Sequence, residues 1–198
     1  MNGRNGNYPF KLFDLLFFAV LAIVSEFMSN ALLETWHSSF YFSFSFALCL
    51  IAMLRWGAAG VVVGMAGGIP GILFSDMSLF SGILFYVAAN GLIGLPMLLY
   101  GQRERDRIVG NHVFFLLYIL LSHVSLSLGK GIVIFLLTGE ITGAVDYFGA
   151  TCFILVMNLI LCQVLKMRDG LICDMRYYFT KTDGADEPLL CREGRRRG

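Results

Sequence analysis

Charge is scarce in this sequence. Asp, Glu, Lys and Arg together make up 15% of its 198 residues while 57% are hydrophobic, a balance too apolar for a soluble domain whose surface must face water. Chemical motifs are scarcer. There is no HExxH, no GxSxG elbow and no Walker A loop, and the three histidines lie far apart, which argues against a zinc protease, a serine hydrolase and an ATPase in turn. No enzyme is expected. The five cysteines, at 49, 152, 162, 173 and 191, form no CxxC pair, so neither a disulfide framework, a metal site nor a cofactor is anticipated, and three of them fall in apolar spans where Cys acts as a small hydrophobe. A net charge of +1 gives nucleic-acid binding no support.

Long apolar runs are abundant. A helix needs ~20 residues to cross the hydrocarbon core, fewer where Gly or charge ends the run. On that basis the sequence predicts an all-α integral membrane protein with six transmembrane helices, at about 12–33, 39–54, 57–74, 79–100, 112–137 and 147–167, between a short N-terminus (1–11) and a tail (168–198). The run from Leu12 to Met28 precedes Ser29-Asn30-Ala31, loosely a signal-peptidase site, but Glu26 and the continuation through Leu32-Leu33 argue for retention. Basic residues alternate with the spans: Arg4 and Lys11, then Arg55, then Arg103, Arg105 and Arg107, then Lys166, Arg168 and the C-terminal cluster. The intervening loops hold only the acids Glu34, Asp76, Glu140 and Asp146. The positive-inside bias then puts both termini in the cytoplasm of a cell-membrane protein. Past Arg168, Tyr177, Tyr178 and Phe179 read as interface anchors, and the rest as a disordered tail ending in Arg195 to Arg197.

Fourteen of the fifteen Lys and Arg residues obey that pattern; the fifteenth, Lys130, lies inside an apolar span. An ammonium there costs at least ~3 kcal/mol on insertion scales, so it is expected to face a protein interior with a partner or a ligand. His123, Ser127 and Lys130 share one helical face, with Lys130 about 27 Å above the inner end near His112 at ~1.5 Å per residue. Gly129 and Gly131 are expected to loosen the helix beside it. The first span offers Glu26 and Asn30 at i, i+4, with Glu26 about 21 Å up. Tyr86 and Asn90 share a face of span four; Tyr147, Thr151 and Asn158 line span six. Three readings stay open for Lys130: a structural ion pair with Glu26, a contact with an anionic ligand, or snorkelling to the outer interface. Each Asn alone is better explained by helix-to-helix hydrogen bonding than by a ligand. Trp36, His37 and Tyr41 would cap such a pocket from the first external loop, as aromatic belt residues also would.

Span three, RWGAAGVVVGMAGGIPGILFS, repeats glycine at 60, 64 and 68 and so presents a side-chain-free face for close helix packing; Pro70 is expected to kink or stop it. Six short spans, a glycine-rich third span after Arg55-Trp56-Gly57, and the basic loop Arg103 to Arg107 resemble the substrate-binding S components of energy-coupling factor (ECF) transporters. The resemblance covers most of residues 10–170. It implies a six-helix subunit that captures a vitamin or related small-molecule micronutrient from outside, using Lys130, His123, Ser127, Asn90, Tyr86, Asn158, Thr151, Tyr147, Glu26, Asn30 and Trp36 as substrate-site candidates. It also implies partners: membrane lipid, a transmembrane T component and two cytoplasmic ATPases. Many S components dock the T component through Ala-x-x-x-Ala on the first helix; here Ala19 and Ala22 are three apart, and Ala19, Ala22 and Ser25, with Gly60 and Gly64 as neighbours, are the nearest docking face. Two other readings remain from the residues: a cell-envelope morphogenesis scaffold (MreD-like) whose polar residues only knit helices together, and a stand-alone secondary carrier in which Glu26 or His123 moves protons.

Overall fold

A computed structural model describes residues 8–36, 43–100 and 105–166, and the regular structure among them is helical. Helix α1 runs Tyr8–Trp36, α2 Ser45–Trp56, α3 Val61–Gly67 and α4 Ile69–Leu73, with a 3₁₀ turn at Gly57–Gly60. The run 79–100 is broken into α5 (Leu79–Gly82), a π-helical stretch (Ile83–Ala88), a 3₁₀ stretch (Ala89–Gly94) and α6 (Leu95–Tyr100). Then follow α7 (Arg105–Gly110), α8 (His112–Thr138) and α9 (Thr142–Lys166). Five helical stretches are long and apolar enough to cross a membrane: 9–32, 45–73, 79–100, 112–138 and 145–166. The protein is therefore a multi-pass membrane protein by its helices. Relative to the sequence expectation, α1 starts and ends three to four residues further out and α9 begins five residues earlier; residues 39–42 of the expected second span lie outside the described residues.

The second of the five is not straight. At Gly57 φ is 67°, a left-handed value that favours glycine, and the chain turns back so that α3 packs on α2. The glycines expected to form a packing face do so inside this hairpin: a Cβ on Gly60 would stand 2.3 Å from the Met53 amide, and one on Gly64 2.8 Å from Cys49 Sγ. Gly68 faces elsewhere, towards the Tyr86 carbonyl. Pro70 sits in the first turn of α4, where its missing amide leaves no helical bond unmade, so the interruption falls at Gly67–Gly68 before it.

Helix α2 is the hub. Ten of its twelve residues are buried, the all-round apolar pattern of a helix enclosed by others. One core joins it to Phe18 and Ala22 of α1, Val63 of α3, Ile93 and Met97 of the fourth run, Phe115, Tyr118 and Ile119 of α8, and Cys162 of α9. Polar ties fix α2 to α1 at both ends. At one, Arg55 Nε donates to Asp14 Oδ2 at 2.9 Å, Arg55 Nη2 to Asp14 Oδ1 at 3.3 Å, and Trp56 Nε1 also to Asp14. At the other, Ser43 and Ser45 hydroxyls both donate to Glu26 Oε2, Ser45 at 2.9 Å. Twelve residues separate the ties on α1, ~18 Å, and ten separate Ser45 from Arg55 on α2, ~15 Å, so the two spacings nearly match and hold the antiparallel pair in register.

That length is well short of the ~30 Å hydrocarbon core. Since α1 continues ten residues past Glu26, α2 begins within the bundle, its first turn facing the Glu26 carboxylate. An anion at a helix N-terminus is favoured by the unpaired amides and the helix dipole.

Helix α8 is uninterrupted through Gly129 and Gly131, contrary to the expected loosening. Gly129 instead admits Leu92 and the Ala89 carbonyl, at 2.7 and 3.0 Å from a would-be Cβ. Asn111 caps its start, accepting from the Val113 amide at 2.8 Å, and Gly139, at φ 75°, ends it.

Candidate functional site

Lys130 projects from α8 into a corner formed by the irregular part of the fourth run and the start of α9. Its Nζ lies 4.8 Å from the centre of the Phe85 ring, 5.5 Å from that of Tyr86 and 5.3 Å from that of Tyr147. Each ring face is within the ~6 Å over which an aromatic quadrupole attracts a cation. Phe85 also meets Tyr86 and Tyr147 edge to face, at centroid distances of 4.9 and 5.7 Å, which props the cage.

The backbone explains why two neighbouring residues serve one cage. Phe85 and Tyr86 lie in the π-helical stretch, whose wider turn narrows the angle between successive side chains below the 100° of an α-helix. Gly68 and Gly71 hold that stretch from behind: Cβ atoms there would fall 1.7 Å from the Tyr86 carbonyl and 2.3 Å from its ring. Only bare backbone fits. The glycine-rich segment thus packs α2 with Gly60 and Gly64 and sets the cage with Gly68 and Gly71.

Glu26 is not the lysine's partner. The two charges are close enough to attract each other, but no ion pair joins them, and Glu26 is occupied by Ser43 and Ser45. No carboxylate lies within ion-pair distance of Lys130 among the described residues.

Beneath the cage, His123 is buried with Nε2 3.4 Å from Thr151 Oγ1, its ring between Phe46 and Phe148. Thr151 also donates to carbonyls of its own helix. Asn90 Nδ2 donates to the Gly64 carbonyl at 3.0 Å, and Asn158 Nδ2 to those of Ile154 at 2.9 Å and Ser43 at 3.3 Å. Both amides therefore knit helices on their donor side. Their Oδ1 atoms, with Ser122 Oγ and Ser127 Oγ, are buried without a hydrogen-bond partner, which is uncommon enough to need explanation.

The residues expected to form one site thus fall into three groups. Lys130, Tyr86 and Tyr147 come together; His123 and Thr151 meet one another; Glu26 joins the α2 start, to which Asn158 is tied through the Ser43 carbonyl. Asn30 donates to the Glu26 carbonyl of its own helix at 2.8 Å and contributes no inward donor by that group. Trp36 ends α1; its side chain, with His37 and Tyr41, lies outside the described residues. Phe85, the closest ring to the ammonium, escaped the sequence reading because Phe is common here, with 18 residues; its one signal was adjacency to Tyr86.

Most of the residues expected to form a docking face lie in the packed interior. Gly60 and Gly64 are buried against α2, Ala22 is fully buried, and Ala19 packs on the core, because small residues are spent where helices approach closely. The free face of α1 is instead Leu16, Phe17, Val20, Val24 and Phe27.

Comparison of the chain with protein-family models, curated proteins and solved structures finds no match.

Proposed function

We propose that this chain is the substrate-capture subunit of an ECF-type importer, taking a vitamin-like micronutrient that carries an anionic group. One observation carries the reading: an ammonium at membrane depth is held by three ring faces and, among the described residues, by no carboxylate. Cation–π contact is worth ~2 kcal/mol or more when desolvated, enough to shelter the charge without neutralising it. An incoming carboxylate or phosphate adds the charge-to-charge attraction that the rings lack, and does so in a poorly screened environment. Asn90 Oδ1, Asn158 Oδ1 and Ser122 Oγ, buried and unpartnered, offer further polar anchors once helices part around a ligand.

In this reading the two runs 39–54 and 57–74 count as separate crossings, making six, with both termini in the cytoplasm of a cell-membrane protein. Energy comes from a transmembrane T component and two ATPases, since the sequence has no nucleotide-binding loop of its own. Mass spectrometry of small molecules released from purified, denatured protein tests it. An anionic compound recovered from the wild type should fall at least tenfold in Lys130→Met that keeps its helical content. Equal recovery from both sinks the assignment.

A second reading rests on a different observation. Glu26, Asn90 and Asn158 all bond across helices, as they would in a membrane scaffold of envelope morphogenesis. That protein would co-purify with envelope-synthesis proteins and release no small molecule.

A further inference from the structure

A groove of about 370 Å³ runs between α8 and α9, lined along α8 by one stripe from Val124 to Phe135 and opposite it by Ile141 and Phe148. Its rims Leu128, Ile132 and Phe135 are exposed, so in a membrane it opens sideways to lipid. Among the described residues Ser127 is its one polar lining residue.

Lining narrows the occupant. The stripe is ~16 Å long at 1.5 Å per residue, and apart from Ser127 the described lining is apolar side chain and glycine, which suits a hydrocarbon chain lying along it. Chemistry narrows it further. Ser127 is 5% exposed and its Oγ has no partner, and a buried hydroxyl is unfavourable until an acceptor reaches it. A plain alkyl chain supplies none. Lys130 stands three residues on, one turn above Ser127, and its charge selects an anion. Phe148 belongs to both sides, lining the groove while its ring packs on His123.

We propose that the α8–α9 groove takes the hydrocarbon arm of an anionic amphiphile loaded sideways from the bilayer, its polar end reaching Ser127 and drawing Lys130 off its rings. This rests on the capture reading and names its ligand class. The Lys130 side chain is long and flexible, and the cage that it leaves is braced by its own ring-to-ring contacts.

The test uses the full chain in phosphatidylcholine nanodiscs and a sixteen-carbon fatty acid bearing a mid-chain diazirine, compared with its methyl ester. The acid should label peptides within 124–148 at least about fivefold more than the ester. Leu128→Trp, which fills the groove from an exposed rim, should cut that labelling about tenfold. Ser127→Ala should reduce it two- to threefold, and Lys130→Met should remove the preference for acid over ester. Equal labelling by both probes, as from an ordinary bilayer chain, overturns the proposal, as does labelling concentrated on α1. If a water-soluble anion is recovered in a Lys130-dependent way while acid and ester label alike, the capture reading survives and this one falls. If neither probe nor any co-purified anion depends on Lys130, both fall.

Discussion

Arg55 and Lys130 are two cations inside one helical bundle, and they are held by opposite means. Arg55, 7% exposed, meets a carboxylate through two nitrogens and shares it with the Trp56 indole. Lys130, among the described residues, meets three ring faces and no carboxylate. A planar guanidinium fits a carboxylate fork, which makes the first arrangement a directional joint between α1 and the hairpin. An ammonium among quadrupoles is attracted without being fixed in direction. The first has its counter-ion in the fold, and the second is one that a ligand can still neutralise.

The largest effect should come from removing the counter-ion of the directional joint. Asp14→Ala takes from buried Arg55 the carboxylate that it grips through two nitrogens and should cost about 3 kcal/mol or more in reversible unfolding in detergent; Asp14→Ala with Arg55→Met should recover most of it. Next comes the glycine that shapes the cage. Gly68→Ala forces a methyl against the Tyr86 carbonyl and should cost about 1–3 kcal/mol, with Tyr86 fluorescence or cross-linking to Lys130 reporting the displaced ring. If Gly68→Ala is neutral, the close approach of α4 to the π-helical stretch is wrong. Lys130→Met should change stability by less than about 1 kcal/mol in the same unfolding assay, since it exchanges a poorly solvated charge for an isosteric apolar chain. A loss as large as that of Asp14→Ala would erase the contrast between the two cations. Smallest is Glu26→Gln, which keeps shape but removes the anion facing the first turn of α2; about 0.5–1 kcal/mol is expected, read as faster hydrogen exchange over Ser45 to Cys49.

Much of the fold was legible because hydrocarbon imposes simple rules. Apolar length located the long helices, and the Arg55-Trp56-Gly57 turn was visible as a charge and a glycine between two short runs. Less was legible in the site. The face shared by His123, Ser127 and Lys130 followed from a period of 3.6, but which helix stands opposite that face depends on packing. Hence a Glu26–Lys130 pair, one of three readings open from depth alone, is not what the packing makes: Ser43 and Ser45 stand on one side and aromatic rings on the other. Depth is one coordinate, and contact needs the azimuth as well. Gly60 and Gly64 teach the same: a bare helical face suits a partner helix as well as α2, and in the hairpin both stand against α2.

By itself the sequence determined that this is a multi-pass helical membrane protein with one cation out of place, because hydropathy, charge and helical period are properties of the chain alone. The tertiary structure decided what that cation meets. A π-helical stretch held against Gly68 and Gly71 brings Phe85 and Tyr86 to one corner, α9 adds Tyr147, and α2, starting deep in the bundle, takes Glu26 for its own N-terminus. Those are relations between segments far apart in the chain, set by how closely backbones approach, and no local pattern encodes them.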